Sequence, residues 1–219
     1  ASIMSIEKQI SIIKNEIKDR ANLIAVSKTR SIQEIEEAYN SGQLKFGENR
    51  VQEIVDKHSK LPKDIEWHMI GHLQKNKVKY IAKFIALIHS VDRISLAKEI
   101  DKHAKKENRK IDCLIQLKIS REESKFGLQI NDFKNFYESL KNYDNLNIIG
   151  LMGMATFTND NELVNEEFKM IKTIYDDMVL IDSRFKVLSI GMSDDYDIAL
   201  ENGSNMIRVG SKIFGKRNY

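Results

Sequence analysis

Short, continuously apolar runs alternate along this chain with longer stretches in which apolar residues return every three or four positions. The first pattern belongs to strands buried on both faces, the second to amphipathic helices. Isoleucines at 3, 6, 10, 13 and 17 predict an opening helix over residues 2–20. Strands are expected at 23–29, 45–48, 66–70, 87–91, 111–119, 146–154, 186–190 and 205–209. Helices fill the intervals. One starts at Ser31, with Glu34 as its capping-box partner, and stops at Gly42. Others cover 50–60, 73–84, the apolar positions Ile94 to Ala104, a stretch capped by Asn131 or Asp132 and ending near Leu140, and 161–181. A last short helix opens at Asp194 and Asp195 and ends near Gly203.

Eight strand–helix alternations with short connections imply a parallel sheet. That count fits a single (β/α)8 TIM barrel with an extra N-terminal helix, one domain over residues 1–219. The rival is an open doubly wound sheet, but no glycine-rich nucleotide-binding signature follows the first strand. A barrel gathers its chemistry at the carboxyl ends of its strands. The polar residues there are Lys28, Asn49, His68, Asp92, Arg93, Ser193, Arg208 and Ser211, with Met192 and Gly210 among them.

Composition narrows the function classes. The net charge of +3 is too small to argue for a nucleic-acid partner, and 31% charged residues is ordinary for a globular protein. The basic run 102–110 reads as a solvated helix end. The single cysteine, Cys113, excludes an intrachain disulfide and sits in an apolar run where a buried thiol is expected. No apolar run is long enough for a membrane span, and no signal peptide is evident, so a cytoplasmic protein is expected.

Lys28 is the residue that changes the picture. In an extended segment it extends the row of Ile24 and Val26 at the end of a buried strand. A lysine in such a place either reaches solvent or serves as an amine nucleophile with a lowered pKa. The last two strands run into Gly191-Met192-Ser193 and Gly210-Ser211, where hydroxyls and backbone N–H groups could converge on a phosphate. Arg208 is in phase with Met206 and Gly210, and closure would bring strand eight beside strand one. An amine, a buried arginine and a phosphate cradle together point to a phosphorylated aldehyde. Pyridoxal 5′-phosphate fits, with Lys28 as the Schiff base and an arginine facing the pyridine nitrogen.

The chain resembles the pyridoxal phosphate homeostasis protein family, barrels related to the N-terminal domain of bacterial alanine racemase. The matching stretches are AVSKT (25–29), FGENRVQE (46–53), WHMIGHLQKNK (67–77), SKFGL (124–128), GLMGMAT (150–156), LSIGMSDDYDIAL (188–200) and GSNMIRVGSKIFGKR (203–217). The resemblance implies that Lys28 carries the cofactor, that Ser193, Gly210 and Ser211 hold its phosphate, and that Arg208 faces the ring nitrogen. It implies that Asn49 and Met192 line the ring and that His68 lies near it. A zinc site at His68 and His72 is not expected, because a strand sets residues four apart at about 13 Å.

Two functions from different classes follow. One is a non-catalytic binder that takes up the cofactor, protects it and hands it to apo-enzymes. The other is an amino-acid racemase, which needs acid–base groups on both cofactor faces. In alanine racemases a partner subunit's C-terminal β domain brings the second group. The sequence stops at Tyr219, so the binder, as a monomer, is the expectation. A third reading is a barrel that binds some other phosphorylated metabolite without a covalent bond.

Overall fold

The computed structural model describes residues 4–123 and 126–216. Ile3, the first two residues of the SKFGL stretch, Arg217 and Tyr219 lie outside the described residues.

Helix α1 (Ile6–Ile17) starts where the Ser5 side chain accepts the Lys8 N–H, later than the expected start. Eight strands follow: β1 (Asn22–Val26), β2 (Lys45–Glu48), β3 (Glu66–Met69), β4 (Leu87–Val91), β5 (Ile111–Leu117), β6 (Leu146–Gly153), β7 (Val187–Ser189) and β8 (Met206–Val209). They form a closed barrel in sequence order, all parallel, with β8 paired to β1. The connecting helices are α2 (Ile32–Asn40), α3 (Val51–Lys60), α4 (Ile94–Lys106), α5 (Phe133–Leu140), α6 (Asn161–Ile181) and α7 (Tyr196–Glu201). The short α8 (Ser211–Phe214) follows β8, and α1 packs on α2 and α8.

Period-two alternation divides the core in two. Ile24, Leu87, Leu114, Ile149, Met152, Val187 and Met206 fill the barrel interior. Their neighbours Leu23, Ala25, Phe46, Trp67, Ile88, Leu188 and Ile207 pack outward against the helices. Both faces are therefore buried, which is why the strands read as unbroken apolar runs. Cys113 faces outward on β5 and is fully buried. Burial pushes its thiol well above the ordinary range.

Four expectations are corrected. The β3–β4 connection is not an α-helix but a 3-10 segment, Lys75–Tyr80, followed by turns. Such turns rise about 2.0 Å per residue against about 1.5 Å in an α-helix, so a short connection covers more height. Strand β1 ends at Val26, not at residue 29, because Arg30 N–H bonds back to Ser27 C=O and Thr29 takes a φ of 65°. Strand β5 ends at Leu117, where Lys118 N–H and Leu128 N–H exchange bonds with the returning loop. Asp132 does not cap α5 with its side chain, because a 3-10 turn, Ile130–Asp132, runs straight into the helix.

Gly150 sits at a register shift between β5 and β6, and a Cβ there would lie 1.8 Å from the Val187 carbonyl oxygen. Backbone cannot yield to it. Gly150→Ala is therefore expected to cost about 3 kcal/mol or more. Gly42→Ala meets no atom within 4 Å but sits at a φ of 103°, so about 1–2 kcal/mol of backbone strain is expected there. Urea unfolding midpoints of the two variants would test this order.

Candidate functional site

At the carboxyl ends of the strands the barrel opens into a cavity of about 210 Å³. Its lining includes Lys28, Asn49, Met192, Ser193, Arg208, Gly210 and Ser211, seven of the eight cofactor residues that the resemblance implies. Val26, Arg30, Ile70, Met154 and Asp194 complete it. His68 is not in the lining. It is buried below, on the inner face of β3.

Each side chain arrives there for a local reason. Lys28 follows β1 in the turn that Arg30 N–H closes on Ser27 C=O, and it is half-buried. The β1–β8 register sets Ile24 beside Arg208, and the turn after β1 brings Lys28, four residues further on, into the lining of the same cavity as the guanidinium. Asn49 follows β2, and Gly71 lets the next loop approach it. A Cβ on Gly71 would lie 2.8 Å from the Asn49 Cα. Ser193 joins the two closing loops, since its Oγ accepts Lys212 N–H at 3.4 Å. Met192 N–H donates to the Asp195 carboxylate at 2.8 Å.

Arg208 is 2% exposed and forms the floor. Its Nη1 donates to Ser189 C=O (2.8 Å) and Ser189 Oγ (2.5 Å), and its Nη2 donates to Gly153 C=O (3.1 Å). None of these acceptors is a carboxylate. Burial lowers the guanidinium to about 10, so it keeps its proton at neutral pH. From Ser189 a polar chain continues across the barrel. Ser189 Oγ lies 3.0 Å from His89 Nδ1, and His89 Nε2 lies 2.9 Å from His68 Nδ1. Since Ser189 Oγ already accepts from Arg208, its own proton is available to His89 Nδ1. His89 Nε2–H then donates to His68 Nδ1. Both rings are neutral: burial lowers His68 to about 3 and His89 well below its ordinary value.

Asp92 and Arg93, also named from the sequence, stay outside the cavity. They pair with each other at 2.8 Å, while Asp92 accepts Gly127 N–H and Arg93 donates to Leu73 C=O. Their role is to tie three loops together. His72 stacks on Phe126, and among the described residues no group of three His, Cys, Asp or Glu could hold a metal ion.

A sequence profile of the alanine racemase N-terminal domain matches residues 2–218. The pyridoxal phosphate homeostasis protein of Aquifex aeolicus is 39% identical over 204 residues, covering 91% of this chain and 88% of that protein. The chain belongs to the pyridoxal phosphate homeostasis protein family. The Escherichia coli K12 family member is 34% identical, covering 92% of this chain and 88% of its own. PipY of Synechococcus elongatus, solved with PLP bound, superposes with a TM-score of 0.88 at 31% identity, covering 96% of this chain and all of that one. An alanine racemase of Clostridium difficile shares the fold, with a TM-score of 0.82 at 13% identity over 98% of this chain and 57% of its own.

In this member of the pyridoxal phosphate homeostasis family, sequence reasoning missed His89, Ser189 and the ionic group Glu48–Lys57–Glu53 behind Lys28. The signal for the first two was available: each is polar at an inward position of a buried strand. Glu48 faces outward from β2 and bonds Lys57 of α3 at 2.8 Å. Burial pushes its carboxyl up to about 7, against the pull of the Lys57 ammonium and the Ser27 hydroxyl.

Because His68 and His89 are held neutral, the unfolded chain binds more protons below about pH 6.5. Stability is therefore present above that pH and is lost as the pH falls toward about 3, by up to about 1.4 kcal/mol per pH unit for each ring. Urea midpoints measured from neutral to acid pH should show this loss, with a shallower slope in His89→Gln. Equal slopes in the two proteins would refute the assignment.

Proposed function

We propose that this chain binds pyridoxal 5′-phosphate, holds it as a Schiff base on Lys28, and serves PLP homeostasis as a binder rather than an enzyme. The observation that carries this is the meeting of the Lys28 side chain and the buried Arg208 guanidinium in one cavity at the barrel mouth. The lining holds three cationic side chains, Lys28, Arg30 and Arg208, against one carboxylate, Asp194. That balance fits a phosphate ester. The Ser193 and Ser211 hydroxyls and the backbone at Gly210 are the groups placed to hold the phosphate, while Asn49 and Met192 flank the space for a ring. When bound, the cofactor supplies an aldehyde that condenses with a primary amine. The family names of the relatives and the PLP bound to PipY support the same ligand.

Arg208 keeps its proton, so toward a ring nitrogen it acts as a donor and leaves that nitrogen without a proton of its own. An uncharged pyridine is a weak electron sink, which favours holding the aldehyde over carbanion chemistry. His68 acts from below, fixing His89 and through it Ser189 and the guanidinium. Racemisation is the second reading, and it requires a second acid–base group opposite Lys28. The lining offers the Asp194 carboxylate, which is exposed at the mouth. The reading extends to a monomer working in the cytoplasm and passing its cargo to apo-enzymes. Among the described residues no helix is long and apolar enough to cross a membrane.

Absorbance spectra with added PLP, before and after borohydride, test the proposal. The protein should give a yellow band that borohydride fixes covalently, and Lys28→Ala should lack both. No band in the unaltered protein would remove the covalent reading and leave a barrel that takes some other phosphorylated ligand. Lys28-dependent racemisation of an amino acid at a robust rate would establish the enzyme instead.

A further inference from the structure

The residue that presents the amine is held by its neighbours. Ser27 N–H makes a sheet bond to Gly47 C=O at 3.0 Å, and beyond it the chain leaves the barrel wall. From there an ionic group takes over. Lys57 Nζ donates to Ser27 C=O, Glu48 Oε2 and Glu53 Oε2, each at 2.8 Å. An ammonium has three protons, so its donor capacity is fully used. Glu48 Oε2 also accepts the Ser27 hydroxyl at 2.5 Å. Glu53 Oε2 also accepts Thr29 N–H at 2.8 Å.

These bonds fall on the two peptide groups that flank Lys28. The carbonyl before it is bound by Lys57, and the N–H after it is bound by Glu53. The turn between them is strained, because Thr29 is a β-branched residue at a φ of 65°. Without an external hold, the chain would relax toward negative φ and swing the Lys28 side chain. Glu48 is fully buried and Lys57 is 5% exposed. Neither they nor Glu53 line the cavity. A group of this kind stabilises poorly by itself, since burial of the charges offsets much of their attraction. Its geometry answers a positional need instead.

We propose that Glu48, Glu53 and Lys57 are positioning residues that clamp both peptide groups around Lys28 and so aim its amine at the bound aldehyde. This rests on the reading that Lys28 is the attachment amine. Condensation joins Nζ of the neutral amine to the aldehyde carbon and releases the carbonyl oxygen with both amine protons as water. It therefore needs the nitrogen on a defined line of approach.

The test compares rate with affinity in Glu53→Ala, which removes the hold on Thr29 and leaves the Glu48–Lys57 pair in place. Stopped-flow absorbance gives the rate of condensation with PLP. Pyridoxine 5′-phosphate, which has an alcohol in place of the aldehyde, reports binding without condensation. Glu53→Ala should condense roughly ten- to a hundredfold more slowly, while its affinity for the alcohol stays within about twofold of the unaltered protein. Glu53→Gln keeps an oxygen acceptor for Thr29 N–H and should recover most of the rate. Ser27→Ala, which removes the hydroxyl ties to Glu48 and to Gly47 C=O but leaves Lys57 on the Ser27 carbonyl, should also condense more slowly and provides a second, milder variant. An unchanged rate in both alanine variants, even with a lowered thermal midpoint, would overturn the clamp and leave the group a packing element. Condensation in Lys28→Ala at the rate of the unaltered protein would instead overturn the attachment site, which separates the two failures.

Discussion

The pairing of β8 with β1 is the constraint on which the site depends. Until the barrel closes, Lys28 and Arg208 belong to opposite ends of the chain. Closure sets Ile24 beside Arg208 and brings Lys28, beyond the end of β1, into the same cavity. The interior then combines an apolar cluster that includes Leu114, Ile149 and Met206 with a hydrogen-bonded polar layer of His68, His89, Ser189 and Arg208. The polar layer is tolerable because its members bond one another, and it gives the cavity a floor that keeps a positive charge out of water. A buried cation with only neutral acceptors favours an anion at the open end.

The two shells of the wall divide the work. The inner face carries the groups that would meet a ligand. The outer face, where α3 packs, carries the ionic group that fixes the turn at Lys28. Each strand contributes to both through simple alternation. On β2, Gly47 leaves interior room beside Ile24, while the next residue, Glu48, points to Lys57.

Much of this was legible in the sequence because burial of both strand faces leaves a mark. Runs such as LIAV and NMIRV stand out, and their phase sets Lys28 in the row of Ile24 and Val26 and Arg208 in the row of Met206. The boundaries were less legible. The end of β1 depends on a positive φ at Thr29, which no propensity announces. The connection after β3 has helical spacing at Val78, Ile81, Ala82 and Ile85, yet it is built from tighter turns. The need for glycine at 150 comes from the Val187 carbonyl, on a residue 37 positions away. Partners across the barrel, such as His68 with His89, become visible only once the ring of strands is closed. His68 is expected near the ligand by resemblance; the structure leaves it outside the cavity lining and ties it to the Arg208 floor through three hydrogen bonds.

Cys113 adds a chemical consequence. Thiolates capture aldehydes and electrophiles readily, and an accessible one would compete with any amine for a reactive carbonyl. The chain's one thiol lies on the outer face of β5, fully buried, with its ionisation suppressed. It is thereby withdrawn from the contest. The cavity can present an electrophile with a nitrogen nucleophile while the chain's one thiol stays buried behind the barrel wall, so discrimination between the two nucleophiles is built into where the fold places each.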